Sequence, residues 1–211
     1  MHRICLKGST GDALKFFNDE YLDITNRYPG EFAPTANAHA LEEVCRPVVE
    51  EMIRQGGAKA ISVASSYGDG ADRVFLDSPK AEWLWEFAEA NDIVVHIHPP
   101  MQSIGHEALM QYRLNEAVGR PFDSTVNVAR MIASGVFDRH PKLQVLIVHM
   151  GGGLASIVGR LEIQLAPQLQ RDQEPAGRQA LHEQAVAIRL LQDQHPARHH
   201  GVQPDWSASR G

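Results

Sequence analysis

The fold of this 211-residue chain is decided by two stretches, IVVHIHPP at residues 93–100 and LQVLIVHMGGG at residues 143–153. Each is short, rich in Val and Ile, and followed by residues that end a strand, so we predict two strands buried on both faces. In a parallel α/β sheet, ligands bind at the carboxyl ends of the strands. His98 and His149, each at the end of its strand, are therefore expected on the active-site side of the sheet.

Composition and charge narrow the class of partner. The formal net charge is −6 and no segment is rich in Lys or Arg, so nucleic acid is not expected as a partner. No apolar stretch approaches the roughly 18 residues of a spanning helix, so no membrane partner is expected. Residues 1–8 lack the apolar run of a signal peptide. Cys5 and Cys45 form no CxxC pair, which is typical of reduced thiols in a cytoplasmic protein.

Helix-like and strand-like segments alternate from Asp12 to about Glu162, which predicts βα units around a parallel sheet. Helical spacing covers residues 16–28, 41–55, about 79–90, 106–118, 122–134 and 154–165. Besides the two histidine strands, residues 58–64 are predicted as a strand. Residues 32–38 are a weaker strand candidate, because Pro34 suits only an edge or an irregular position.

The composition changes beyond Glu162 to a stretch rich in Gln, Pro, Arg and His. We assign residues 1–163 to one α/β domain and residues 164–211 to an atypical, partly disordered tail, in which helical periodicity covers only 179–192. A natural variable tail is one explanation. A change of reading frame near Gln164 is the other, and it is the interpretation that we favour.

The strand-end histidines suggest a metal site. Alternate side chains of a strand share a face, so His96 and His98 point the same way, about 7 Å apart. His98 lies nearer the mouth of the sheet, and His149 ends the second histidine strand. Neutral imidazole suits Zn, Mn, Fe or Ni, and such an ion polarises a substrate oxygen or activates water. Histidines satisfied by backbone groups are the structural alternative.

The triple glycine is compatible with two other kinds of site, a phosphate-binding turn and an oxyanion loop. Gly151–Gly153 could cradle a phosphate, but the dinucleotide fingerprint fails at Ser156, and a tight turn that lets the helix approach the sheet explains the glycines better. The stretch from His149 also resembles the oxyanion loop of an α/β hydrolase, with residues 64–68 as a loose nucleophile elbow. In that fold the oxyanion loop precedes the nucleophile, and here the order is reversed.

We predict no functional role for three aromatic side chains of the helix before residue 93 or for the remaining histidines. Trp83, Trp85 and Phe87 are expected to pack a helix against the sheet. The other histidines lie on polar segments or in the tail, where we expect solvated side chains and assign no role: His2, His39, His106, His140, His182, His195, His199 and His200.

Several sequence blocks together resemble the amidohydrolase-related family, which includes aminocarboxymuconate-semialdehyde decarboxylase and related aromatic-acid decarboxylases. The resemblance covers roughly residues 16–162. The blocks are VVHIHP at 94–99, GRPF at 119–122, SGVFDRHPKL at 134–143 and HMGG at 149–152, together with LDSP at 76–79 and NRYPGEF at 26–32.

The resemblance implies a distorted (β/α)₈ barrel with one divalent metal ion, Zn or Mn. It implies that His98 is a metal ligand, with His96 as a secondary candidate, and that His149 activates water or acts as acid and base. The expected activity is that of a metal-dependent hydrolase or carboxy-lyase acting on a small carboxylated, aromatic-derived substrate. Homo-oligomer formation is left open.

Two ligand positions of the family have no counterpart here. Nothing before Phe16 matches the His-x-His pair of the family's first strand, and Asp205 does not stand in the setting of its final aspartate. Surrounding blocks place His96-Ile97-His98 in the middle of the barrel. We therefore expect a partial barrel that lacks its first strand and its final two, with weak metal affinity. A catalytically inactive fragment or interaction module of the same ancestry is the alternative function.

Overall fold

A four-stranded parallel sheet forms the centre of the computed structural model, which describes residues 10–172. The strands in chain order are β1 (Thr35–Asn37), β2 (Ala60–Ala64), β3 (Ser66–Tyr67), β4 (Val74–Phe75), β5 (Val94–His98) and β6 (Val145–Ile147). The sheet has the order β1-β2-β5-β6, and β3 and β4 form a separate antiparallel pair. Successive strands lying side by side in parallel is the arrangement of a (β/α)₈ barrel, which confirms the predicted α/β class.

Within residues 10–172, six α-helices accompany the strands: α1 (Thr10–Arg27), α2 (Arg46–Gly56), α3 (Glu82–Ala90), α4 (Arg120–Ala133), α5 (Val136–Arg139) and α6 (Leu154–Asp172). Their ends follow local chemistry. Gly57 closes α2 in the left-handed conformation at φ 66° and donates its N–H to the Ile53 carbonyl. Ser78 accepts the Lys80 N–H ahead of α3. None of the helices within residues 10–172 combines the length and apolar character needed to cross a bilayer.

The predicted helix over 106–118 is wrong. Short 3₁₀ turns occupy His106–Leu109 and Gln111–Arg113, and a π-helical turn covers Asn115–Gly119. Tyr112 and Arg113 have φ of 57° and 58°, which no right-handed helix can contain. The Asn115 amide also bonds to the preceding loop, donating to the Met101 carbonyl and accepting the Ser103 hydroxyl proton.

Helix α6 runs to Asp172, so the predicted domain boundary after residue 163 falls inside a helix. The predicted helix over 179–192 lies outside the described residues, as does all of the proposed tail after Asp172.

One face of the sheet carries the core. Ile61, Val63, Val95 and Ile97 are buried against the helices, together with the large core side chains Met52, Leu84, Trp85 and Met131. Trp83, Trp85 and Phe87 lie in this core, as predicted, and the Trp83 indole donates to the Ala40 carbonyl at 2.8 Å.

The opposite face is only half-covered, which corrects the prediction of strands buried on both faces. His96 is half-buried, His98 is exposed, and Leu146 keeps 56% of its surface accessible. The cause is the alternation of strand side chains: helices cover one set, and nothing in residues 10–172 seals the other.

Candidate metal centre

The structure brings His98 and His149 together, with their ring centroids 5.6 Å apart. Strands β5 and β6 are parallel neighbours in which Ile97 pairs with Ile147, so they end at the same level. The Val148 N–H donates to the Ile97 carbonyl at 3.3 Å and continues the pairing toward His149. Two imidazoles on one tetrahedral ion, at metal–nitrogen distances of about 2.0–2.1 Å, have centroids roughly 5 Å apart. The observed spacing fits two rings that serve a common centre.

The hydrogen bonding of His98 suits a metal ligand. Its Nδ1 lies 2.7 Å from the Pro99 carbonyl oxygen, and because a carbonyl can only accept, Nδ1 carries the proton. The lone pair is therefore on Nε2, the nitrogen left for an ion. A backbone carbonyl that fixes the tautomer in this way is the usual second partner of a metal-binding histidine.

His96 lies one layer deeper on the same face of β5, with its ring centroid 6.4 Å from that of His98. Its Nδ1 is 3.1 Å from the Ser62 hydroxyl. Burial, and secondarily the neighbouring His98, lowers its pKa, so the ring is neutral at neutral pH. Among residues 10–172 no group of three His, Cys, Asp or Glu side chains is arranged to hold an ion. The described part of the chain thus brings together candidate histidines without a three-residue group that could hold an ion.

His149 sits in an unusual backbone conformation. Its φ is 54° and that of Met150 is 56°, the left-handed region that non-glycine residues rarely adopt. The turn is closed by its own amides. Gly151 donates to the Val148 carbonyl at 3.2 Å, and Gly152 donates to the His149 carbonyl at 2.8 Å.

The Gly153 N–H donates to the Thr125 hydroxyl at 2.7 Å, so all three glycine amides have protein acceptors. They are therefore not free for a phosphate or an oxyanion. A Cβ on Gly152 would lie 2.0 Å from the Pro121 carbonyl oxygen, so the turn packs directly against α4. The glycines thus allow a close approach of the turn to α4, which is a different contact from the predicted approach of the following helix to the sheet.

The electrostatics keep His149 uncharged. Its partial burial, followed by the neighbouring His98 and Arg120, lowers the pKa of the imidazole. Arg120, the first residue of α4, thus lies within electrostatic range of the site. The residue patterns predict no role for Arg120, although the block GRPF at 119–122 contains it. That block was the only signal that could have indicated it.

A buried polar network at the same end of the sheet was also missed. Asp123 is fully buried and accepts hydrogen bonds from the Ser65 hydroxyl and the Ile104 N–H. The Arg73 guanidinium lies 3.5 Å from it. An aspartate in the first turn of a helix predicts a solvated, dipole-stabilising carboxylate, so the sequence carries no sign of this burial.

The prediction that the other histidines are solvated is wrong for three of them. The ring of His39 stacks on Tyr67 with centroids 3.8 Å apart, and burial lowers its pKa. His140 is buried between Glu82, at 2.9 Å, and Glu89, at 3.4 Å. His106 is 19% exposed and lies beside Glu107. His2 and the four histidines beyond residue 172 lie outside the described residues.

His140 belongs to the opposite end of the sheet from His98, because it precedes β6 rather than following it. Its burial reflects packing: the two glutamates of α3 anchor the segment that leads into β6. It is a structural histidine.

Comparison with known proteins finds similarity to several decarboxylases. It is 27% identical over 157 residues to the 2-amino-3-carboxymuconate-6-semialdehyde decarboxylase of Dictyostelium discoideum, covering 72% of this chain and 41% of that protein. The 5-carboxyvanillate decarboxylase of Sphingomonas paucimobilis superposes with a TM-score of 0.64 at 25% identity, covering 77% of this chain and 48% of that one.

A dihydroxybenzoic acid decarboxylase from Polaromonas sp. JS666, solved with bound manganese and the inhibitor 2-nitroresorcinol, has the same fold. Its TM-score is 0.60 at 22% identity, and the match covers 71% of this chain and 47% of that one. The chain therefore spans less than half the length of each of these three proteins.

The amidohydrolase family model matches residues 13–183, most of the chain. It spans every strand of the sheet, both strand-end histidines and the glycine turn. The sheet order, the paired imidazoles and this match agree, and the chain belongs to the amidohydrolase family.

Proposed function

We propose that this chain carries the metal-binding core of a decarboxylase that acts on small carboxylated aromatic substrates. The single observation that carries the proposal is the pairing of His98 and His149 at 5.6 Å on adjacent strand ends. The relatives favour carboxy-lyase over hydrolase chemistry, because the curated relatives compared and several of the solved structures are decarboxylases.

His98 would hold a divalent ion through Nε2, with His96 as a secondary candidate, and Mn or Zn fits imidazole ligands. Such an ion supplies a positive charge that orients the substrate carboxylate and the neighbouring oxygen. Manganese is bound in the Polaromonas relative. The site residues proposed here rest on geometry and on the family pattern.

His149 would act in proton transfer. Neutral because its pKa is lowered, it can take a proton on a ring nitrogen and deliver it to the carbon that loses carbon dioxide. Arg120 adds a positive charge within electrostatic range of His149, which favours a carboxylate nearby. A cytoplasmic location and homo-oligomer formation stay predictions.

The test is metal content and carbon dioxide release by the purified 211-residue chain, loaded with Mn²⁺ and offered 5-carboxyvanillate or a dihydroxybenzoate. His98→Ala is expected to lose both the ion and turnover. His149→Ala is expected to keep the ion and lose turnover by about 100-fold or more. His106→Ala, which removes a histidine from a loop outside the pair, is the control.

The inactive alternative is favoured by one observation, the lack of a three-ligand group within residues 10–172. Bound metal without turnover in the wild-type chain would support it. Turnover that His149→Ala abolishes would exclude it, and stoichiometric metal that survives His98→Ala would contradict the ligand assignment.

A further inference from the structure

The first turn of α4 contacts both histidine-bearing segments, although it belongs to neither. Thr125 reaches the turn after His149, and Asp123 reaches the end of β5 through Ser65. Both side chains are buried: Asp123 is 0% exposed and Thr125 is 6% exposed.

On the His149 side, the Thr125 hydroxyl is used twice. It donates to the Pro121 carbonyl at 2.9 Å and accepts the Gly153 N–H at 2.7 Å. Because its proton is committed to Pro121, its lone pair is aimed at Gly153. Gly152 packs against Pro121 and Thr125. The glycine turn is therefore fixed to α4 by the hydrogen bond from Gly153 and by the tight contact of Gly152.

On the His98 side, the connection runs through Ser65, which follows β2. The Ser65 N–H donates to the His98 carbonyl at 2.9 Å, and its hydroxyl donates to one oxygen of Asp123. The other Asp123 oxygen accepts the Ile104 N–H at 3.2 Å, with Arg73 at 3.5 Å. Both Asp123 oxygens and the hydroxyls of Ser65 and Thr125 therefore have hydrogen-bond partners, as a rigid buried network requires.

We propose that Thr125 and Asp123 are positioning residues which set the distance between His98 and His149 by fixing both to one turn of α4. The inference deepens the proposed function and rests on it only where turnover is measured. The distance between the rings of His98 and His149 can be measured whether or not the protein is active.

The test compares Thr125→Val, which keeps the shape and removes the hydroxyl, with Thr125→Ser, which keeps the hydroxyl. The readout is the nuclear Overhauser contact between the two imidazoles in histidine-labelled full-length protein. Thr125→Val is expected to weaken or abolish this contact, and Thr125→Ser to retain it. If the chain is an active decarboxylase, Thr125→Val should lower kcat by about 10- to 100-fold with little change in KM.

Ser65→Ala is a second variant for the same measurement. It removes the hydroxyl that connects the His98 segment to Asp123 and leaves the sequence of α4 unchanged. It decides the question if Thr125→Val does not fold, which circular dichroism would reveal. Loss of the ring contact in Thr125→Val, together with no turnover by the wild-type chain, would support the positioning role and defeat the proposed activity. An unchanged contact in folded Thr125→Val, or in Ser65→Ala when Thr125→Val does not fold, would overturn the inference.

Discussion

At the residue scale, Gly151 and Gly152 are neighbours with different requirements. Both have positive φ, 71° and 64°, so both positions disfavour a side chain. A Cβ on Gly151 would meet nothing within 4 Å, whereas one on Gly152 would meet the Pro121 carbonyl oxygen at 2.0 Å and the Thr125 hydroxyl at 2.3 Å. Substituting each glycine in turn therefore separates the cost of backbone strain from the cost of steric overlap.

Gly152→Ala is therefore expected to lower the free energy of unfolding by about 3 kcal/mol or more, since it combines left-handed strain with overpacking. Gly151→Ala should cost about 1 kcal/mol, from strain alone. Urea denaturation of both variants measures the difference. Equal losses would mean that α4 moves away from the turn at little cost.

The strand-end positions of His98 and His149 could be predicted from the sequence. Each follows a run of apolar residues and precedes the proline or glycine residues that end the strand. Asp123 and Thr125 could not, because their roles depend on which elements α4 meets. His140 shows the converse: its polar stretch predicts a solvated ring, and two glutamates distant in sequence bury it.

At the element scale, α1 is fixed to the outer strand β1 by one side chain. Asn18, only 1% exposed, accepts the Asn37 N–H at 2.8 Å and donates to the Asn37 carbonyl at 3.3 Å. The amide thus pairs with both backbone groups of Asn37, as a neighbouring strand would.

Asn18→Ala should lower the free energy of unfolding by about 1–3 kcal/mol, because it leaves backbone groups of β1 without their partners. Asn26→Ala, an exposed asparagine of the same helix, should be close to neutral. Guanidinium denaturation with α-helical circular dichroism as the signal distinguishes the two. An unchanged free energy of unfolding in Asn18→Ala would show that water replaces the side-chain amide at this edge of the sheet.

Elements with a clear period were predictable, and those set by side-chain contacts were not. Helix α2 and strand β2 follow from amphipathic spacing and from Val and Ile content. Residues 106–119 have helical spacing as well, yet the Asn115 bonds to the preceding loop and the left-handed Tyr112 and Arg113 divide them into short turns. Propensity is a weak guide where such contacts compete with it.

At the scale of the whole molecule, an ionic cluster connects α3 to the segment that leads into β6. Glu82 accepts two hydrogen bonds from the Arg139 guanidinium, at 2.9 and 3.0 Å, and also contacts His140. The bidentate bond to Arg139 is the main reason that the pKa of Glu82 falls to about 2 from its ordinary 4.5.

Because the pKa of Glu82 is lower in the folded state, its contribution is complete above about pH 4.5 and is lost as the pH falls toward about 2. Glu82→Gln should therefore destabilise the protein at pH 7 by about 1 kcal/mol, a value that allows for solvent screening of a partly exposed pair. The difference from wild type should shrink between pH 4.5 and pH 2. Glu86→Gln, exposed on the same helix, is the control, and denaturation midpoints across this pH range are the measurement.

The global architecture was largely predictable, because alternating βα segments admit few arrangements other than a parallel sheet. The half-covered face was not. Apolar runs such as VVHIH suggest burial on two sides, but only Val95 and Ile97 of β5 are fully covered in the structure. A sequence pattern gives the chemistry of a face and does not show what packs on it.

The neighbour-to-neighbour order of the sheet has a consequence for synthesis on the ribosome. Each strand of the four-stranded sheet can add to the sheet strand made before it, with the β3–β4 pair intervening between β2 and β5, so the nascent sheet can grow in chain order. His149 is then the last piece of the candidate centre to emerge. The imidazole pair cannot form until β6 has left the exit tunnel, so the two rings become available together only after the whole sheet has been synthesised.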